Sequence, residues 1–336
     1  MARNTNKPAW KEGVRPPTTE REKKIMLALE RLRFLTFEQI EVLTGWTSRS
    51  RYERLRELYG NDYMDRPEIQ DQMFSHAEKR PTIIALGNEG ARWLEEEYEH
   101  IHFPPAVDWQ AKNKALKSTD FILHKVGVTD SVVFSERDVH AVPEFRFIHR
   151  DEVWQTSPSF NARVKDPYKL RTSFSWLDGA VLRRNTIPDY TFAVKWIVDG
   201  KPVSGLHFLE YDRDTEDLVR TSPKQSCILK KYLGYTDAYE KGLHTDLYGY
   251  KNFRVLFVVE GDNDRRIASM IDLYQANATD LAPANAFLFT TSEKLKTAGF
   301  FAPIWSNGKG AQIALFNNVN PRPVPTPYNT RPVVAL

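Results

Sequence analysis

IPDYTFAVKWIVDGKPVSGLHFLEYDR, residues 187–213, is the stretch whose reading decides the fold. Asp199-Gly200 separates two runs rich in β-branched and aromatic residues, the pattern of a hairpin closed by a two-residue turn. Strands are expected over 187–194 and 206–212. If Val198 pairs with Lys201, the register carries Asp189 to a position opposite Glu210, and a turn lengthened by Pro202 about the same centre leaves that pairing unchanged. Directly opposed residues hold their Cβ atoms roughly 4.5–5.5 Å apart on one face. Strand alternation adds Asp212 to that face. Three carboxylates so placed repel one another and lack donors. Either a hard cation such as Mg²⁺ or Mn²⁺ joins them, or Arg213 and nearby lysines neutralise them, unless the strand lies at an exposed edge where the cluster is harmless.

Outward from this hairpin, residues 226–241 read as a helix with Ile228, Lys231, Tyr232, Tyr235 and Tyr239 along one face. Lys231 shares the packing face, whereas Lys230 is expected on the opposite side. A lysine on an inward face beside carboxylates suits a phosphate-stabilising ammonium, and it equally suits a side chain snorkelling from the rim of the core. Further strands are expected over 131–139, 144–148, 253–260 and 286–290, with helices over 112–130 and 264–275 and from Ser292. The polar stretch 150–175 takes no clear assignment. Strands alternating with helices imply an α+β or α/β domain, a mixed sheet flanked by helices.

The N-terminal part reads differently. Residues 20–33 form an amphipathic helix with Ile25, Leu29 and Leu32 on one face. Thr36 and Gln39 make a capping-box pattern opening a second helix, which stops at Gly45. Ser48 is expected to cap a third, with Tyr52, Leu55, Leu58 and Tyr59 packing and Arg49, Ser50, Arg51 and Arg54 on the open face. Strands over 63–66 and 82–86, joined by a loop bearing Lys79 and Arg80, would form a wing, and a further helix follows Gly87. This order is that of a winged helix-turn-helix. Its arginines suit guanine edges and phosphates of double-stranded DNA; a solvated helix face or a protein-binding role are the alternatives.

Composition agrees with a folded chain. The 336 residues are 41% hydrophobic and 27% charged, with a net charge of +3. Residues 1–60 carry 13 lysines and arginines against 8 acidic residues, so the basic excess sits there. One cysteine, Cys227, rules out a disulfide framework and fits a reducing, cytoplasmic setting. No apolar run suits a membrane span, and MARNTNKPAWKEG lacks the apolar core of a secretory signal. The expected organisation is a basic arm (1–18), the winged helix (19–100), a linker around Pro104-Pro105 (101–110), the mixed-sheet domain (111–316) and a Pro-rich tail (317–336). The arm either tracks DNA or is merely solvated, and the tail either docks a partner or is disordered. The eight histidines show no metal-ligand spacing, Cys227 is expected to pack rather than react, and Gly299 and Gly308–Gly310 make no phosphate-cradling loop.

Pro188-Asp189 followed by Glu210-Tyr211-Asp212-Arg213 resembles the PD-(D/E)XK nuclease signature, with Asp212 where the motif lysine would fall. Some members of that superfamily carry the lysine on the following helix, which here makes Lys231 the counterpart. Together with the N-terminal winged helix, and with His124 in Leu123–Asp130, the chain resembles the replication-relaxation family of mobile elements, related to plasmid mobilisation relaxases. The resemblance implies a restriction-endonuclease-like sheet in which Asp189, Glu210 and Asp212 hold the metal, with Lys231 catalytic and His124, Arg213 and Tyr235 supporting. It also implies a relaxase-like nickase or endonuclease acting at a replication or transfer origin, with other mobilisation or replication proteins as partners. A non-enzymatic DNA-binding replication or copy-control factor with a degenerate nuclease-like domain is the alternative. A protein-interaction adaptor is the second.

Overall fold

The computed structural model describes residues 15–46, 49–70, 82–98, 107–164, 166–222, 224–277 and 283–316, with Arg49 and Ser50 by their backbone alone. The chain divides into two units, Met1–Val133 and Phe134–Leu336. Residues 111–133, which the sequence assigns to the C-terminal domain, therefore group with the N-terminal unit.

In the N-terminal unit, α1 (Glu20–Leu32) begins at a capping box between Thr19 and Glu22. After β1 (Phe34–Thr36), α2 (Phe37–Thr44) opens on the expected box, Thr36 with Gln39, and ends at Gly45 in the left-handed conformation. Helix α3 spans Arg49–Gly60. Strands β2 (Met64–Asp65) and β3 (Ile83–Leu86) pair antiparallel, and β1 joins them in the order β1-β3-β2. The turn into α4 (Asn88–Glu97) needs Gly87, because a Cβ there would stand 2.0 Å from the Asp62 carbonyl oxygen. Helix α5 is Trp109–Lys114, and α6 is Thr119–His140. Phe34, Ile69, Ile83, Ala85 and Ile122 form a core, and Thr129 Oγ1 donates to the Phe34 carbonyl at 3.1 Å.

Helix α6 corrects the expected strand over 131–139. Val132, Val133, Phe134 and Val139 are buried, and so are Ser131, Ser135, Glu136 and Asp138. Over 131–139 only Arg137 is part-exposed, so this segment has no solvent-facing polar stripe and its short apolar runs mimic a strand.

The C-terminal unit is built on a seven-stranded sheet. Its strands are β4 (Phe145–Ile148), β7 (Tyr190–Val198), β8 (Lys201–Asp212), β9 (Phe253–Val259), β10 (Phe287–Thr291), β11 (Trp305–Asn307) and β12 (Gln312–Ile313). The order is β12-β11-β10-β9-β8-β7-β4, with β8, β9 and β10 parallel and the remaining neighbours antiparallel. The hairpin β7–β8 has the predicted register: Val198 pairs with Lys201 and Tyr190 with Leu209. Asp199 and Gly200 both take positive φ, 50° and 74°, as a tight two-residue turn demands, so Pro202 does not lengthen it.

The stretch without a clear assignment contains α7 (Arg150–Gln155) and β5 (Leu170–Ser175), which pairs with β6 (Val181–Thr186) in a separate two-stranded sheet. Helix α8 (Ile228–Glu240) is covered on both sides. Tyr232 and Tyr235 join the large-sheet core, whereas Cys227 and Leu229 pack with Phe174 and Trp176 of the small sheet. Lys230, expected on the side opposite the packing face, is buried there; its ammonium donates to the carbonyls of Ser222 and Gln225 and lies 4.5 Å from the Trp176 ring centre. The remaining helices are α9 (Leu243–Tyr248), α10 (Asp264–Asn277) and α11 (Ser292–Ala298). Among the described residues, no helix is long and apolar enough to cross a membrane.

On the other face of the sheet, His207 lies fully buried among Phe192, Phe300 and Phe316, and neither ring nitrogen has a hydrogen-bond partner among the described residues. Burial, aided by the Arg254 guanidinium, pushes the imidazole down to about 3. The unfolded chain, with an ordinary histidine near 6.5, takes up the proton first, so this contribution to stability is lost as pH falls from about 6.5 toward 3. His207→Phe is expected to abolish a loss of about 2 kcal/mol between pH 7 and pH 5, read from denaturant melts at both pH values.

Candidate functional site

The hairpin register brings the acidic residues together where β7 begins and β8 ends. Asp189 directly precedes β7, and its Oδ2 accepts the Tyr211 backbone N–H at 3.0 Å. Glu210 and Asp212 are 2% and 4% exposed and share one face of β8. Helix α8 crosses that face because its tyrosines fill the core there. It delivers Lys231 Nζ to 2.8 Å from Glu210 Oε2 and the Tyr235 hydroxyl to 2.5 Å from Glu210 Oε1. The three residues that the β7–β8 register and the helix periodicity single out, Asp189, Glu210 and Lys231, thus meet in space.

Glu216, in the segment after β8, is a member that periodicity could not find. Its Oε2 lies 3.0 Å from Lys231 Nζ, so the ammonium bridges two carboxylates. Burial pushes the Glu210 carboxyl up to about 7; Lys231 opposes that rise and Asp189 adds to it. Burial works against the charge on Lys231, but Glu210, Asp189 and Glu216 outweigh it and hold the ammonium above the ordinary lysine range. Burial also raises the Tyr235 phenol well above its usual value, with Glu210 adding to the effect, so Tyr235 stays a donor.

Asp212 takes another partner. Arg266, near the start of α10, places Nε 2.6 Å from Asp212 Oδ2 and 3.2 Å from Asp214 Oδ1. Neutralisation of Asp212 therefore comes from Arg266 rather than from Arg213, whose Nε lies 3.6 Å from Glu260. No sequence signal joins Arg266 to Asp212, because the parallel crossover through β9 brings them together. Among the described residues no group of three or more acidic, histidine or cysteine side chains is arranged to hold a metal ion. Asp189 and Glu210 are compatible with a magnesium-type site, in which one or two carboxylates are completed by water and phosphate; a cage that also uses Asp212 is not. His124 is half-buried on α6 in the N-terminal unit and is not among the residues that the C-terminal unit gathers.

The candidate DNA-contacting residues fare unevenly. Ser48, Lys79 and Arg80 lie outside the described residues, and Arg49 and Ser50 occupy the first turn of α3. Arg51 and Arg54 are not on an open face, as the sequence suggested. Arg51 is 3% exposed and donates to Glu41 Oε2 at 3.0 Å and to the Trp46 carbonyl at 2.6 Å. Arg54 donates to buried Glu22 at 2.6 Å and to the carbonyls of Arg15 and Pro16. Burial pushes the Glu22 carboxyl up, but the Thr19 N–H, Arg54 and the Thr18 N–H outweigh it and hold it down at about 2. Both arginines satisfy carboxylates and carbonyls within the unit instead of facing a groove.

The replication-relaxation family profile matches residues 26–253, covering most of the N-terminal unit and the Asp189–Glu210–Lys231 cluster. The chain belongs to the replication-relaxation family, and membership supports a role in replication or mobile-element DNA processing. No curated protein and no solved structure gives a significant match.

Removing one partner from a buried pair strands the other charge. Lys231→Met is expected to cost about 3 kcal/mol at pH 8 and distinctly less as pH falls to 5, because burial favours the protonated form of the Glu210 carboxyl; urea melts at the two pH values read the difference. Arg54→Ala is expected to lower stability by about 2–3 kcal/mol by the same measurement, because Glu22 loses a charged donor.

Proposed function

We propose that the protein is a DNA-processing protein in which a winged helix-turn-helix selects the site and a PD-(D/E)XK-like core acts on the phosphodiester backbone. The observation that carries this reading is the convergence of Asp189, Glu210 and Lys231 on one sheet face, with Lys231 supplied by the helix rather than by β8. The N-terminal order of α1, β1, α2, α3 and the antiparallel pair β2–β3 supports the first half. With Arg51 and Arg54 committed internally, double-stranded DNA would be met by the first turn of α3, at Arg49 and Ser50 with Ser48 before it, and by the β2–β3 connection carrying Lys79 and Arg80.

Mg²⁺ or Mn²⁺ would be held by Asp189 and Glu210, and when bound would supply Lewis-acid stabilisation and a water of lowered pKa. The chain's own groups have separate tasks. Tyr235 fixes the orientation of the Glu210 carboxylate through its hydroxyl. Lys231 offers a protonated ammonium on the same face to balance charge developing on a phosphate, and Glu216 holds that ammonium in place. Arg266 keeps Asp212 engaged outside the pair.

A second reading has its own support. Asp212 stands where the motif lysine would be, and Lys231 and Arg266 already neutralise the cluster. That arrangement suits a DNA-binding replication or copy-control factor whose nuclease-like core no longer cuts. Supercoiled plasmid carrying the DNA that flanks the gene, incubated with Mg²⁺ or Mn²⁺, separates the two. Nicking by the wild type, reduced at least about 100-fold in Asp189→Asn, is the expected outcome. Equal nicking by Asp189→Asn sinks the mechanism. Salt-dependent DNA binding without nicking, and without calorimetric binding of Mn²⁺, establishes the second reading.

A further inference from the structure

The β5–β6 hairpin is a two-stranded ribbon that shares no strand with the seven-stranded sheet. Its register pairs Leu170 with Thr186, Thr172 with Arg184 and Phe174 with Leu182 on one face. Leu170, Thr172, Phe174 and Thr186 are buried on that side. Helix α8 lies against it at close range, since a Cβ on Gly234 would stand 2.1 Å from Thr186 Oγ1. Asp237 of α8 accepts the Ser173 backbone N–H at 2.9 Å, and Thr172 and Thr186 join hydroxyls at 3.0 Å. The ribbon is therefore a fixed platform pinned to the helix that carries Lys231.

The other face pairs Arg171 with Asn185, Ser173 with Arg183 and Ser175 with Val181. Arg171, Arg183 and Asn185 are exposed there, and neither arginine makes an ion pair among the described residues. Asp178, at the ribbon tip, is the one acidic residue between Leu170 and Asp189, and it accepts the Ala180 N–H. The strand residues of this outer face, Arg171, Ser173, Ser175, Val181, Arg183 and Asn185, include no carboxylate. As diagonal neighbours across an antiparallel pair they are roughly 7–8 Å apart at the backbone. Strand β6 ends at Thr186 and continues through Ile187-Pro188 directly into Asp189.

We propose that the outer face of the β5–β6 ribbon binds the phosphate backbone of DNA through Arg171 and Arg183 and leads that strand to the Asp189–Glu210 cluster. The occupant follows from charge complementarity: two unpaired guanidiniums with hydroxyl and amide donors between them match a run of phosphate oxygens. A two-stranded ribbon is also narrow enough to follow a DNA groove. This inference rests on the DNA-processing reading but assigns a contact surface separate from the winged helix.

The test measures binding of the full-length protein to a fluorescent 30-base-pair duplex, and to the corresponding single strand, over a range of salt concentrations. Wild type is expected to bind with a steep salt dependence. Arg171→Gln/Arg183→Gln is expected to weaken binding about tenfold and to flatten the slope of log affinity against log salt by about 2 units, because two phosphate contacts are lost. Its thermal melt should match wild type, since both side chains are exposed. Arg171→Lys/Arg183→Lys should keep most of the slope, as a lysine still meets a phosphate as a point charge. An unchanged slope in the glutamine variant overturns the ribbon and leaves the DNA-processing reading standing. Equal loss in the lysine variant also overturns it, as does weakened binding to polyglutamate with DNA binding intact, which marks an acidic protein partner. Absence of any salt-dependent DNA binding by wild type overturns both readings together.

Discussion

Glu210 is a carboxylate that water scarcely reaches, and much of the C-terminal unit is arranged to give it partners. An unpaired buried charge costs several kcal/mol, so the strand that carries it must be met by donors. Helix α8 provides them from one turn and the next, Lys231 to one oxygen and Tyr235 to the other. Asp189, set opposite by the hairpin, adds to that cost, and Lys231 opposes it. The same set of groups that solves this electrostatic problem is the one to which the proposed function assigns the phosphate.

Helix α8 can meet that demand because it is held from both sides. Its tyrosines pack on Phe208, Phe253, Phe257 and Phe287 of the large sheet, and Leu229 and Cys227 pack under the small ribbon. Being covered twice, it buries even Lys230, whose ammonium is satisfied by two carbonyls and the Trp176 ring. Adjacent lysines on one helix therefore have different employment: Lys230 locks the helix to the ribbon side, and Lys231 serves the acidic cluster.

A similar division runs through α3 in the N-terminal unit. Arginines early in such a helix are read most simply as groove contacts, yet Arg51 and Arg54 are consumed by Glu41, Glu22 and main-chain carbonyls. Glu22 was already half-used by its own capping box, and Arg54 completes its shell. These two arginines stabilise the unit that presents the first turn of α3.

The sequence by itself determined what is set within a few residues along the chain. The Asp199-Gly200 turn dictated the β7–β8 register and with it the meeting of Asp189 and Glu210, because a two-residue turn leaves one pairing. The box at Thr36 marked a helix start, because its bonds span three residues. The helical period put Lys231 and Tyr235 on the same face as the packing tyrosines. Only the tertiary structure decided which carboxylate each cation would serve. Arg266 reaches Asp212 across a parallel crossover of more than fifty residues, and nothing local encodes that choice. It also made residues 131–139 a helix, since burial of all but Arg137 removes the polar stripe that would have revealed it, and it laid the β5–β6 ribbon over α8, where Gly234 leaves room. Local geometry fixes spacing and face; long-range packing assigns partners, because a side chain's environment depends on elements that sequence distance does not order.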